Sequence, residues 1–296
     1  MSAAHRPAPG NTASANTPLG NTAPTLATAR WPEVEQGPRR LLVVPLGSLE
    51  QHGPHLPLDT DTRIAVAVTA RACAGRTGVG VAPPIAIGAS GEHADFPGTL
   101  SIGTEALTHV LVELGRHASL YWPAMLLVNG HGGNVPAIND ALKLLREEGR
   151  QCHVWHAAIR SGPPAGADME GAAQEMEFPA RRANATRRET PAAVRDTRSP
   201  FVVDAHAGRV ETSIMLALAP NDVRLEAAVP GETRPITAIM AELRAHGTRR
   251  VSPNGVLGDP TGSSAAEGEQ LLMQLTAALD KKLTTLTTQG LPPRPS

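Results

Sequence analysis

Leu41-Leu-Val-Val-Pro-Leu46 is followed, after Gly47-Ser-Leu, by Glu50-Gln-His-Gly-Pro-His-Leu-Pro-Leu-Asp-Thr-Asp61. The first stretch is an apolar run of strand length. The second crowds Glu50, His52, His55, Asp59 and Asp61 into one loop, and a helical pattern follows from Thr62 to Ala74. A strand that ends in such a loop ahead of a helix delivers nitrogen and oxygen ligands to the carboxyl edge of a sheet, where open α/β proteins hold their ligands. Pro54 and Pro57 stiffen the loop. A polar loop in which Asp59 and Asp61 merely cap the helix is the competing reading. It leaves the crowding of Glu50, His52 and His55 unexplained.

The same alternation recurs along the chain. Val79–Ile87 precedes a helical pattern over Thr104–Leu120, Met125–Val128 precedes Val135–Glu148, and Val154–Ile159 reads as a further strand. Short apolar runs alternating with longer amphipathic stretches predict parallel βα units, hence a three-layer α/β/α fold with a mainly parallel sheet. Helices are expected again over Val210–Leu218, Ile236–His246 and Ser264–Leu283. Residues 1–38, rich in Ala, Pro, Asn, Thr and Gly, read as a disordered tail. Residues 39–286 read as one domain, interrupted by a mobile insertion at 161–200, with 287–296 as a second tail.

Composition narrows the function. Lys plus Arg number 27 against 28 Asp plus Glu, a balance that offers nucleic acid or an anionic membrane no attracting field. Cys73 and Cys152 are too few for a disulfide framework and lack the spacing of a zinc or redox pair, so both are expected to be buried thiols. No run is long enough to span a membrane, and residues 1–30 lack the apolar stretch of a secretory signal, which predicts a cytoplasmic protein. The expected substrate is small or peptide-sized.

Three further motifs carry chemistry. Asn129-Gly-His131-Gly-Gly-Asn134 sits between a strand and a helix, as the first loop does. Its glycines let the backbone approach a ligand closely, His131 can bind a metal, and Asn134 can cap the helix or donate to a carbonyl. Asp204-Ala-His206-Ala-Gly-Arg-Val-Glu211 offers an imidazole and a carboxylate five residues apart. Glu211 could serve a helix dipole, a metal or a proton transfer, and His206 could be an ordinary surface histidine or a proton shuttle. Gly88–Thr99 places Glu92 beside His93, as substrate contacts or as a plain structural loop.

Taken together, Glu50–Pro57, Asp61, Asn129-Gly-His131, His206-Ala-Gly208 and Glu211-Thr-Ser213 resemble the creatininase family of metal-dependent amidohydrolases over roughly Leu41 to Leu283. The Gly88–Thr99 loop, Ser101–Leu107 and Gly255–Pro260 look most like the branch that acts as a peptidase on the modified mycofactocin precursor peptide. The resemblance implies two divalent ions, zinc, iron(II) or manganese. One is expected on Glu50, Asp61 and His131, the other on His52 and the shared Asp61, with His206 as the catalytic histidine. The family carries a glutamate ligand two places after the motif histidine, where this chain has Gly133, and Glu211 is the carboxylate expected to complete the second site and to share in catalysis. Glu92, His93, Gly132, Gly133 and Asn134 are the expected substrate-binding residues. The family also implies a homo-oligomer, hexameric in some relatives.

Amide hydrolysis at neutral pH needs a stronger nucleophile than water and a sink for charge on the carbonyl oxygen. A divalent ion supplies both, lowering the pKa of bound water from about 15.7 to about 7. The function the resemblance implies is release of the carboxyl-terminal dipeptide from the modified precursor. A creatininase-like enzyme acting on a small cyclic amide is the alternative, though Trp31, Trp122 and Trp155 lie outside these motifs and only 2% of residues are aromatic. A metal-dependent peptide-binding protein without catalysis is the third.

Overall fold

The computed structural model describes residues 25–157 and 204–288. Its centre is a four-stranded parallel sheet formed by β1 (Leu41–Leu46), β2 (Val79–Val81), β3 (Ala124–Asn129) and β4 (Cys152–His156), in the spatial order β2-β1-β3-β4. Leu41 pairs with Ala124 and Leu46 with Asn129, so β1 and β3 end level with each other. The loops that leave them open side by side at one sheet edge.

Strand alternation sorts the core into two layers. Leu42, Val44, Leu46, Met125 and Leu127 face α3 (Gly103–Ala118) and α4 (Val135–Glu147), whose Leu107, Leu111, Ile138, Ala141 and Leu145 fill that side. Leu41, Val43, Leu126 and Val128 face the other way, onto Ile64 and Val68 of α2 (Thr60–Cys73), Ile214 of α5 (Arg209–Leu218) and Leu272–Leu286 of α8 (Ala265–Thr288). Both faces of the central strands are buried, the usual condition of a parallel sheet. The result is the three-layer α/β/α arrangement that the sequence predicts. Cys73 and Cys152 are free and buried, and burial pushes their thiols up to about 12 and about 11.

Two departures from the expected boundaries have a clear local cause. β2 stops at Val81 rather than Ile87, because Pro83 and Pro84 cannot donate to a ladder; only Ile85 rejoins, donating to Pro45 O at 2.9 Å. Pro45 itself is tolerated within a central strand because its missing N–H faces the side where β2 has already ended. Part of the expected amino-terminal tail is ordered: α1 (Trp31–Gln36) caps on a reciprocal Arg30–Glu33 pair, and Leu26 N donates to Val81 O. Residues 1–24, the expected insertion at 161–200 and the end of the chain from 289 lie outside the described residues. Two short helices, α6 (Ile236–His246) and α7 (Thr248–Val251), pack against the 91–93 turn. Among the described residues no helix is long and apolar enough to cross a membrane.

Candidate metal centre

Glu50 leaves the end of β1, Asp61 opens α2, and His131 follows β3. The level ending of the two strands is what brings them together. His131 Nδ1 lies 3.1 Å from Asp61 Oδ2 and its Nε2 lies 3.0 Å from Glu50 Oε2. His52 Nε2 lies 3.0 Å from Asp61 Oδ1 and 3.9 Å from Glu211 Oε2. Glu50, His52, Asp61 and His131 are at most 6% exposed. Three sets of donors converge closely enough to share a cation: Glu50, Asp61 and His131; His52, Asp61 and Glu211; and Glu50, His52 and His206. The first two share only Asp61. The third brings His206 against one member of each.

Local backbone chemistry holds these heads in place. Ser48 Oγ donates to Asp61 Oδ2 at 2.7 Å, while Thr62 Oγ1 donates back to Ser48 O. His52 Nδ1 lies 3.1 Å from Glu50 O, a carbonyl that can only accept, so Nδ1 carries the proton and Nε2 faces the cluster. Asn129 clamps the second loop, donating to His131 O and accepting from His131 N. At the third, Ala207 sits in the left-handed region at φ 53°, and its N–H is held by Glu211 Oε2 at 2.6 Å. That contact ties Glu211 to the turn that carries His206.

The electrostatics suit a cation. Burial pushes the Glu50 carboxyl up to about 7 against the pull of His131, and burial raises Glu211 to about 7 as well. Burial opposes charge on His52 and His131 too, yet Asp61 and Glu50 outweigh it and raise both rings to about 10. For Asp61 burial is likewise outweighed, by His52 first, and its carboxyl is held well below the usual range. Neither oxygen of Glu50 has a hydrogen-bond partner although the side chain is fully buried. A buried carboxylate without donors is costly unless a positive charge faces it. The mixed imidazole and carboxylate donors are those that zinc, iron(II) or manganese accept.

Gln51, which sequence reasoning passed over, organises the imidazoles. His206 Nε2 donates to Gln51 O at 2.8 Å, which leaves its Nδ1 unprotonated, 3.7 Å from Glu50 Oε1. Gln51 Nε2 donates to His93 Nδ1 at 2.8 Å and to Gly255 O at 3.0 Å, using both its hydrogens. Gly255, at φ +82°, must be glycine because a Cβ there would lie 1.9 Å from Gln51 Oε1. Burial, with His52 and His93 nearby, drives His206 well below its ordinary value, and burial takes His93 down to about 3. Both rings are therefore neutral at pH 7.

Two expected substrate contacts are placed otherwise. Asn134 is fully buried, accepts from Ala89 N and donates to Gly47 O and Asn129 Oδ1, so both its amide hydrogens are spent inside the fold. It also makes no side-chain cap to α4. His93 is 4% exposed and stands behind the cluster, 3.4 Å from Glu50 Oε1. Gly132 is exposed, and Gly133 and Glu92 are partly so. His55 turns away to Thr212 Oγ1, and Asp59 pairs with Arg63 instead of capping α2.

The sequence profile of the family described as "Creatininase: Creatinine amidohydrolase" matches residues 27–283. The chain belongs to the creatininase family. It is accordingly a metal-dependent hydrolase of amide bonds. It is 44% identical over 241 residues to the "Mycofactocin precursor peptide peptidase" of Mycolicibacterium smegmatis, covering 79% of this chain and 81% of that one. Among solved structures, "Crystal structure of creatinine amidohydrolase (creatininase)" aligns with TM-score 0.62 and 25% identity over 90% of this chain and 99% of that one. "Creatininase Mn" aligns with TM-score 0.61 and 25% identity over 90% of this chain and 99% of the other.

Proposed function

We propose that this chain is a metal-dependent peptidase that releases the carboxyl-terminal dipeptide from the modified mycofactocin precursor peptide. The observation that carries the hydrolytic part is the convergence of Glu50, His52, Asp61 and His131, with both Glu50 oxygens lacking a hydrogen-bond partner. The peptide substrate rests on the 44% identity to a relative named for that activity. In this reading Glu50, Asp61 and His131 would hold one divalent ion, and His52, Asp61 and Glu211 would hold the other, Asp61 belonging to both donor sets. Bound there, divalent ions supply an activated water and polarise the scissile carbonyl.

The protein's own groups do the rest. His206 Nδ1, neutral and aimed at the cluster, takes a proton and passes it to the departing amine, while Gln51 O keeps the other ring nitrogen protonated. Gly132, open and exposed, lets the substrate backbone approach. A small flat amide would need a stacking ring. Trp31 is exposed on α1, and Trp122 and Trp155 pack into the two core layers, so none of the three serves. The proposal extends to a homo-oligomer, as the family likeness implies, and to a cytoplasmic location.

Incubating the metal-loaded protein with the modified peptide and following it by mass spectrometry tests the reading. Loss of the terminal dipeptide supports it. Tight binding of an intact peptide would make this a binding protein, and hydrolysis of creatinine with an untouched peptide would favour the small-amide alternative.

A further inference from the structure

Gly133 lies two residues beyond His131 at the rim of the cluster, and the space beside it is taken. A Cβ there would lie 2.4 Å from Glu92 Oε1, 2.4 Å from His131 Nε2 and 2.4 Å from Ala89 O. The side chain that fills the gap comes from the 91–93 turn. Glu92 Oε1 stands 3.6 Å from His131 Nε2, with Glu50 Oε2 at 3.0 Å, Ala89 O at 3.1 Å and Ser90 Oγ at 3.3 Å from the same nitrogen. Position 133 is glycine because the Ala89 carbonyl and the His131 ring leave no room for a Cβ, and the Glu92 carboxylate reaches over the same gap.

We propose that Glu92 is a positioning residue of the metal centre: entering over the gap left by Gly133, it supplies an outer carboxylate on the Glu50–Asp61–His131 side, and its charge beside the His131 ring strengthens cation retention there. Its side chain is 34% exposed, against 0% for Glu50 and 3% for Asp61, so it forms the solvent-facing wall of that side. Carboxylates that act on a metal through a ligand imidazole orient the ring and strengthen the site, and losing one costs about 10- to 100-fold in metal affinity. The 91–93 turn is braced from behind by α6 and α7, which keeps the carboxylate at its station.

This inference rests on the metal-dependent reading, and the experiment separates the two. Metal retained by the unaltered protein, Glu92→Gln and Glu92→Ala is measured by mass spectrometry of the metals across a chelator titration, with circular dichroism reporting the fold. Metal-free unaltered protein would overturn the metal-dependent reading itself, and the inference with it. The expected result is that Glu92→Gln, which keeps the shape and removes the charge, releases its metal at chelator concentrations about 10-fold lower than the unaltered protein. Glu92→Ala should do the same and regain retention when formate is added, because the truncated side chain leaves room for a small carboxylate; Glu92→Gln should show no such rescue. Unaltered retention in Glu92→Gln would overturn the proposal, and so would a loss in Glu92→Ala that formate does not restore.

Discussion

Two groups of charges in this molecule look alike on paper and differ in kind. On the surface between α3 and α4, Arg116 pairs with Glu113 and Glu148, and Arg150 adds a contact to Glu148 at 2.9 Å. Every member has partners and access to water, and hydrogen bonds from Arg116 bring the Glu148 carboxyl down to about 2. At the sheet edge, Glu50, Asp61, His52 and His131 are equally close to one another but shut away from solvent, and the Glu50 oxygens find no donor. Exposed pairs contribute little to stability, whereas buried charges cost the fold unless something compensates them. The surface group has its compensation within itself, and the buried group is the one proposed to hold cations.

The contrast can be broken most severely at His131. His131→Ala should abolish metal retention and lower turnover by more than about 100-fold, since removing a ligand costs more than removing its outer partner. Metal analysis beside the peptide assay checks this, and normal activity would erase the distinction between the two regions. A smaller effect is expected at Gln51, which supplies no metal donor itself and acts through His93 and His206. Gln51→Leu removes the amide shared by His93 and Gly255 while leaving the backbone carbonyl to His206, and should lower kcat by about 10- to 100-fold with metal content retained.

Protonation sharpens the comparison. His52 and His131 stand at about 10, above the ordinary imidazole value, so at pH 7 both carry protons that an entering cation must displace. Metal binding should therefore release protons and tighten as pH rises toward 10. Calorimetric titration in two buffers of different ionisation enthalpy measures that release, and a pH-independent affinity would count against the assignment. At the surface, Glu148→Gln should leave metal retention and turnover unchanged and move the melting midpoint by no more than about 2 °C.

How much of this was legible in the sequence follows from the range of the interactions. The strand-loop-helix units were readable because apolar runs, glycines and prolines act locally, and the Glu50 and His131 loops could be placed because each directly follows a strand. The relation between Glu92 and Gly133 was not, since it depends on two loops meeting in space. Gln51 was hidden for the same reason: its partners His93 and His206 lie 42 and 155 residues away. Asn134 invited a substrate role because an amide beside a glycine-rich turn is a common ligand donor, but only the fold reveals that the side chain is buried with both its hydrogens given to Gly47 and Asn129. The two prolines at 83 and 84 were visible, and their effect on β2 was underweighted against a continuous apolar run.

Asp61 is the one side chain common to the two proposed cation sets, so metal stoichiometry in Asp61→Asn, set beside that of the unaltered protein, tests the shared centre most directly. The account predicts two ions per unaltered chain and the loss of both, together with peptide cleavage, in the variant. Full metal content and full cleavage in Asp61→Asn would contradict it.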